Sequence, residues 1–446
     1  MALLGVVFAS ILLLVLLVAY FRLNTFIAFL IVCLFMGLAL NVVREPAQRM
    51  SIADITQSIQ TGIGKTLGSL VIIIVFGSML GKLVAESGAA QRIANGLMQV
   101  FGRKYVQWSL MLTGFIVGIP LFYNIGFVLM VPLIFTVAAR TKLPAVYLGI
   151  PMLASLSVTH GYLPPHPSPT ALVGAFHANM GLTLLYGLVV AVPAIVLAGP
   201  VFSRFLKKYT QEPAQLFTAA ALPDDQLPGM ATSIVAALLP VLLLAATSLL
   251  KLKAVPDSIA FNIASWLGDP VIVMLLAVLN GAYVLGIRRG WPIKKVMGTM
   301  EDAIRDVSVI ILIIGGSGAL TQMLLDSKVS DVIKEGLGSM HMNPLILAWT
   351  IAALIRVSVG SATVAGLTAA GIVAPLVVGT TVHPSLMVLA TGAGSLMFSH
   401  VNDGGFWMFK EYFNLSVKDT FKTWSIMETI VSVAGLIGCL ILNLFI

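Results

Sequence analysis

The chain has 446 residues, of which 59% are hydrophobic and only 10% charged, against roughly a quarter charged in an average soluble domain. That balance excludes a soluble globular protein. The net charge of +8 therefore speaks of membrane orientation, since Lys and Arg collect in cytoplasmic loops, and it points to no nucleic-acid partner. In chain order, apolar runs at 3–21 and 25–43 each approach the roughly 20 residues that cross a bilayer. Similar runs follow at 67–83, 121–139, 182–202, 234–250, 271–285, 307–323, 345–355 and 431–446. They predict an all-α polytopic membrane protein with about ten or more crossings. The first run lacks a basic flank and a small-residue cleavage site, so it reads as a retained membrane helix. Cys33 and Cys439 lie in apolar runs, which argues for neither a disulfide nor a metal site. Basic clusters at Arg204, Lys207 and Lys208, and at Arg288, Arg289, Lys294 and Lys295, are placed on the cytoplasmic side.

One long polar stretch divides the chain into a first transmembrane repeat (1–205), a polar loop (206–230) and a second repeat (231–446). Shifting the first half by 240 residues lays Glu86-Ser87 on Asp326-Ser327 and Gly96-Leu97 on Gly336-Leu337. The same shift lays Ser155, Leu156 and His160 on Ser395, Leu396 and His400. A constant offset predicts a structural duplication. In secondary transporters, substrate sits at the interface of such repeats.

Four segments interrupt the apolar pattern. SVTHGYLPPHPSPTA (157–171) carries four prolines, and its partner in the second half is SHVNDGGFW (399–407). GIPLFYNIG (118–126) and SVGSATVAG (358–366) form the other pair. Irregular backbone survives at membrane depth only where it is buried in protein or lines a cavity. These segments read as two re-entrant hairpins and two broken helices, one of each per half; the alternative is ordinary loops at the membrane surface. A half-helix ending in the membrane turns unpaired N–H groups and a positive dipole end to an anion. Asn124, Thr159, Ser361, Thr363 and Asn402 are placed to hydrogen-bond a polyhydroxylated ligand.

Arg356, beside Gly360 and the GSAT hydroxyls, reads as a bidentate partner for a substrate carboxylate, or as an arginine that snorkels or pairs with an acidic neighbour. Histidine changes charge near neutral pH, so His160 and His400 read as proton shuttles, or as hydrogen bonders that hold the hairpin tips. His166, among the prolines, is placed against substrate. Asp403 is read as a proton-coupling carboxylate, with a turn or N-cap aspartate as the alternative. Glu86 and Asp326 are read as structural. The sequence holds no nucleophile–base constellation, zinc-ligand spacing or full phosphate loop, which predicts no catalytic site, no metal site and no ATP-driven pump.

The segments GSMLGKLVAESGAAQRIA (77–94), LFYNIGFVLMVPLIFT (121–136), SVTHGYLPPHPSPTA, IRVSVGSATVAGLTAAGI (355–372) and SHVNDGGFWMFKEYFNLS (399–416) resemble the gluconate permease family nearly end to end. Its members are gluconate/proton symporters of bacterial inner membranes, within the ion transporter superfamily. The resemblance implies inverted repeats, paired hairpins, a scaffold that dimerises among membrane lipids, an elevator-like movement and import of a small anionic sugar acid, with no cofactor. The chain departs from the family at Asn124, where many members carry glutamate, at Ser168, where they carry glycine, and at Gly404, where they carry proline. An asparagine cannot titrate, so the proton role falls to Asp403, His400 and His160. Left open are sodium coupling through oxygen ligands for a similar organic anion or small hydroxy or amino acid, a passive channel, and an intramembrane enzyme built on His160, His166, His400 and Asp403.

Overall fold

The computed structural model describes residues 2–46, 49–102, 104–121, 123–211, 222–256, 258–326, 343–377, 381–401 and 403–446. Helices and their connections make up all of it, with no strand among the described residues. The first half contributes α1 (Ala2–Val15), α2 (Thr25–Val43), α3 (Ile52–Glu86), α4 (Ala89–Phe101), α5 (Val106–Gly118), α6 (Tyr123–Thr141), α7 (Ala145–Tyr162), α8 (Pro167–Ala175) and α9 (Met180–Leu206). The second half contributes α10 (Met230–Lys253), α11 (Ile259–Leu267), α12 (Pro270–Arg289), α13 (Ile293–Asp326), α14 (Pro344–Val359), α15 (Ala362–Val377), α16 (Pro384–Gly394), α17 (Gly404–Tyr412) and α18 (Val417–Leu442).

Six described helices (α2, α9, α10, α12, α13 and α18) are long and apolar enough to cross a membrane, and α3, bent by 46°, makes a seventh. This differs from the ten or more full crossings expected from apolar runs. The reason is that breaks cut several runs into helices of 10–17 residues, among them α1, α5, α14, α15 and α16. At 1.5 Å per residue such pieces fall short of the roughly 30 Å hydrocarbon core. Phe8, Val42, Val189, Leu242 and Ile441 stay exposed on the outer helices, an apolar surface suited to lipid.

The longest helices, α3 and α13, run antiparallel and form the spine of the molecule. A capping box starts α3: Asp54 N–H donates to Ser51 Oγ at 3.1 Å, and Ser51 N–H donates to Asp54 Oδ2 at 2.8 Å. At one end of the pair Ser58 Oγ donates to Asp326 at 2.6 Å; at the other Thr299 Oγ1 donates to Glu86 at 2.7 Å. These two bonds interchange when the halves are exchanged at the 240-residue offset, to within one residue. Both acidic residues are thus cross-helix ties. Between them the backbones touch: a Cβ on Gly62 would lie 2.4 Å from the Gly318 carbonyl oxygen, and one on Gly318 would lie 2.6 Å from the Gly62 oxygen. Only small residues permit this approach.

Of the polar loop, residues 222–228 are held down. Gln91 donates to the Leu222 carbonyl at 2.9 Å, and Arg92 donates to the Pro228 carbonyl at 2.8 Å. Arg289, at the end of α12, donates to Ser87 O at 2.7 Å and also to Gln226 O. Ser327, Gly336, Leu337 and Asn402, which entered the expectations above, lie outside the described residues.

Candidate functional site

The broken segments are shorter than their composition suggests. In the proline-rich stretch α7 continues to Tyr162 and α8 begins at Pro167, so only 163–166 leave helical geometry. Proline is tolerated at the first helical position because the N–H it lacks has no intrahelical acceptor there. Pro169 still falls in the same first turn. GIPLFYNIG is interrupted only between Gly118 and Tyr123, and SVGSATVAG only at Gly360 and Ser361. Gly360 sits at φ 82° and closes α14 through its N–H on the Arg356 carbonyl at 2.9 Å. A side chain would be strained in that left-handed conformation.

A histidine ties each of two interhelical turns, the one between α7 and α8 and the one before α17, to a helix break. His166 is buried, and its Nε2 donates to the Gly118 carbonyl at 2.6 Å. His400 Nε2 donates to the Val357 carbonyl at 2.8 Å. A carbonyl only accepts, so Nε2 carries the proton in both rings. His160 stands apart from this pattern. Its Nδ1 has no hydrogen-bond partner among the described residues. Its ring packs against His166 at 5.5 Å and Tyr123 at 5.8 Å. Among the described residues no ring contact joins His160 to His400, although the 240-residue offset aligns them.

Thr159 is fully buried and turns its hydroxyl back to the Leu156 carbonyl at 2.9 Å. It also blocks any side chain at Gly118, where a Cβ would meet its Oγ1 at 2.6 Å. Ser361 caps α15 by accepting from Val364 N–H at 3.3 Å, and Thr363 stands in the same first turn, half-buried. Asn124 lies in the first turn of α6, directly after the first break.

Arg356 and Asp403 meet. The guanidinium Nη2 donates to Asp403 Oδ2 at 2.5 Å, and Nη1 donates to the Gly360 carbonyl. Arg356 is buried and Asp403 part-buried. Asp403 accepts further from Ser399 Oγ and, at 3.1 Å, from the Gly405 N–H that opens α17. It is at once ion-pair partner and N-cap. Trp424 of α18 donates to Ser399 Oγ at 2.7 Å and stacks on Phe409 at 5.3 Å. The second hairpin is thereby fixed to α18.

The two halves interlock here. Helix α8 of the first hairpin packs against α15 and α16 of the second half. A Cβ on Gly366 would lie 3.4 Å from Ser168 Oγ. Around this junction several buried polar atoms have no partner among the described residues: Ser168 Oγ, Thr170 Oγ1, Thr368 Oγ1, Arg356 Nε and His160 Nδ1. Each such atom costs about 1–3 kcal/mol in a folded protein, so these side chains are candidates for polar contacts that the described residues do not supply. Ser168, Thr170 and Thr368 are ligand candidates that the sequence did not single out, and neither did it mark Glu428, a buried carboxylate on α18 bound by Ser157, which is no ligand candidate.

A model of GntP family permeases matches residues 1–445. The chain is 47% identical to a high-affinity gluconate transporter of Escherichia coli K12, covering 99% of both chains. It is 43% identical to the Gnt-II system L-idonate transporter of the same strain over 98% of both. It is also 43% identical to a gluconate permease of Bacillus subtilis over 98% of this chain and 99% of that one. Among solved structures, the Alcanivorax borkumensis YdaH transporter, described as having an unusual topology, superposes with a TM-score of 0.67 at 16% identity, covering 94% of this chain and 96% of that one. It shares the fold. The chain belongs to the GntP permease family, as a multi-pass protein of the bacterial inner membrane and not an enzyme.

Proposed function

We propose that the protein imports gluconate or a related six-carbon sugar acid by proton symport, with the hairpins moving against the scaffold in an elevator-type alternating-access cycle. The observation that carries this reading is the set of unpartnered buried hydroxyls and nitrogens on α8, on α15, at His160 and at Arg356. A sugar acid offers one carboxylate and several hydroxyls, which suits a buried cation surrounded by small alcohols. Arg356 Nε and the first turn of α15 receive the carboxylate; Ser168, Thr170, Thr368 and His160 receive hydroxyls. The gluconate and L-idonate transporters among the relatives support this substrate class.

The two halves, 1–205 and 231–446, act in this reading as inverted repeats joined by the 206–230 loop. The antiparallel α3–α13 pair and its interchangeable Glu86 and Asp326 ties support that relation. A homodimer embedded in lipid completes the reading, and the mass of the detergent-solubilised protein checks it.

Proteoliposomes test the function. With an inward proton gradient, labelled gluconate is expected to accumulate above its external concentration, and a protonophore is expected to collapse the accumulation. Accumulation that follows a sodium gradient at fixed pH instead overturns the coupling. Absence of uptake for gluconate, L-idonate and related aldonates overturns the substrate class.

A further inference from the structure

Glu428 lies on α18, three residues past a π-helical turn at Phe421–Ser425, and is 2% exposed. The Ser157 hydroxyl of α7 donates to its Oε1, while Oε2 has no partner among the described residues. The nearby Asp403 is different. It accepts from a guanidinium, a hydroxyl and a backbone amide. A buried carboxylate is tolerated as an anion only when it is paired and hydrogen-bonded. Asp403 meets that condition, and Glu428, with one neutral donor, does not. Two carboxyls in one region, one supplied with charge and donors and the other starved of them, divide into a fixed anion and a proton acceptor.

The groups that face Glu428 are few. From α14 comes Arg356, from the second hairpin turn Asp403, from α6 the Tyr123 phenol, and from α7 Tyr162, whose hydroxyl donates to the Val431 carbonyl. Helix α16 carries no charged residue, and on α9 the only one is Arg204, exposed near its end. The remaining titratable ring of α9, Tyr186, is occupied against His383 at 5.4 Å. On α18 itself Cys439 lies toward Tyr162.

We propose that Glu428 is the group that takes up and releases the coupling proton, an inference that rests on the symport reading above and replaces Asp403 in that role. The exchange is acid–base only: the Glu428 carboxyl loses a proton to water that reaches it from one side of the membrane and regains one from the other. Asp403 keeps its ion pair with Arg356 and holds the guanidinium in place. Ser157 belongs to the hairpin helix and lies three residues before His160, on the same helical face. The Ser157–Glu428 bond thus ties the moving hairpin to α18, and the charge on Glu428 sets how strong that tie is.

Infrared difference spectra of the ligand-free protein between acid and alkaline pH test this directly. The native protein is expected to show the carbonyl band of a protonated carboxyl that disappears on alkalinisation. Glu428→Gln, which keeps the shape and the Ser157 partner, is expected to lack the band, and Glu428→Asp to retain one. An identical titrating band in native and Glu428→Gln protein overturns the inference. In proteoliposomes, Glu428→Gln is expected to keep exchange of labelled for unlabelled gluconate while proton-driven accumulation falls to a concentration ratio of about one; native accumulation by that variant also overturns it. Native vesicles that take up no gluconate sink the substrate reading, and the infrared comparison still decides Glu428.

Discussion

Replacing Arg356 by methionine is expected to abolish transport and to lower the stability of the fold by about 3–5 kcal/mol, the usual cost of removing one partner from a buried ion pair. The loss has two parts. Asp403 is left as a part-buried anion whose remaining donors among the described residues are Ser399 and the Gly405 amide, and the Gly360 carbonyl loses the guanidinium that closed the second break. The double variant Arg356→Met/Asp403→Asn separates structure from function. It contains no uncompensated charge, and the asparagine still caps α17, so its thermal unfolding midpoint in detergent is expected to return most of the way to native. Transport is expected to stay absent, because no cation remains for a substrate carboxylate. Native uptake by the double variant contradicts the role given to Arg356. A midpoint as low as that of the single variant contradicts the ion-pair account of stability.

A single methyl group at Gly392 is expected to lower both stability and uptake, by less than the loss of Arg356. Its Cβ would lie 2.2 Å from the Gly161 carbonyl oxygen, where α16 crosses α7 and the hairpin helices of the two halves touch. Both sides of the clash are backbone, so neither yields by rotating a side chain. Overpacking of this kind costs typically 1–3 kcal/mol, and the same shift separates the two hairpins, so uptake falls with stability. Two controls fix the interpretation. At Gly161 a Cβ would meet the end of the Leu396 side chain at 2.5 Å, which can turn away, so Gly161→Ala is expected to be milder. At Gly64, on α3, nothing lies within 4 Å of an added Cβ, so Gly64→Ala is expected to raise stability by about 0.5–1 kcal/mol through helix propensity alone. Unfolding midpoints of the three variants give the order directly. An equal effect at Gly392 and Gly64 contradicts the close-crossing account.

How much of this was legible in the sequence depends on distance along the chain. The breaks were legible because proline, glycine and small hydroxyl residues act within a few positions of themselves. Their extent was not: four prolines mark 157–171 as interrupted without saying where, whereas Pro167 and Pro169 sit in a first helical turn that can accept them. Arg356, Asp403, His166 and His400 were each visible as polar residues in apolar surroundings. What the sequence does not carry is that Arg356 finds Asp403 across 47 residues, or that His166 finds Gly118 across 48. The symmetry of His160 and His400 was real as an alignment and misleading as geometry, since His166 takes over the pinning role in the first half. Glu428 was missed because the last apolar run was read from 431, which left Glu428 as an ordinary charged flank. Only its partner, Ser157, 271 residues away, marks it as buried. A carboxylate preceding an apolar run by less than one turn is the signal that was available.

The central claim is that substrate lies where α8, α15 and Arg356 converge, held by hydroxyls that the protein itself does not use. Ser168→Ala, Thr170→Val and Thr368→Val remove those hydroxyls without breaking a hydrogen bond among the described residues. Equilibrium binding of labelled gluconate to the purified protein, measured beside thermal unfolding, is therefore the most direct test. The account predicts unchanged or slightly higher stability in all three variants, with binding weakened about two- to ten-fold for each lost bond, as expected for about 0.5–1.5 kcal/mol. Native affinity in all three folded variants would contradict it.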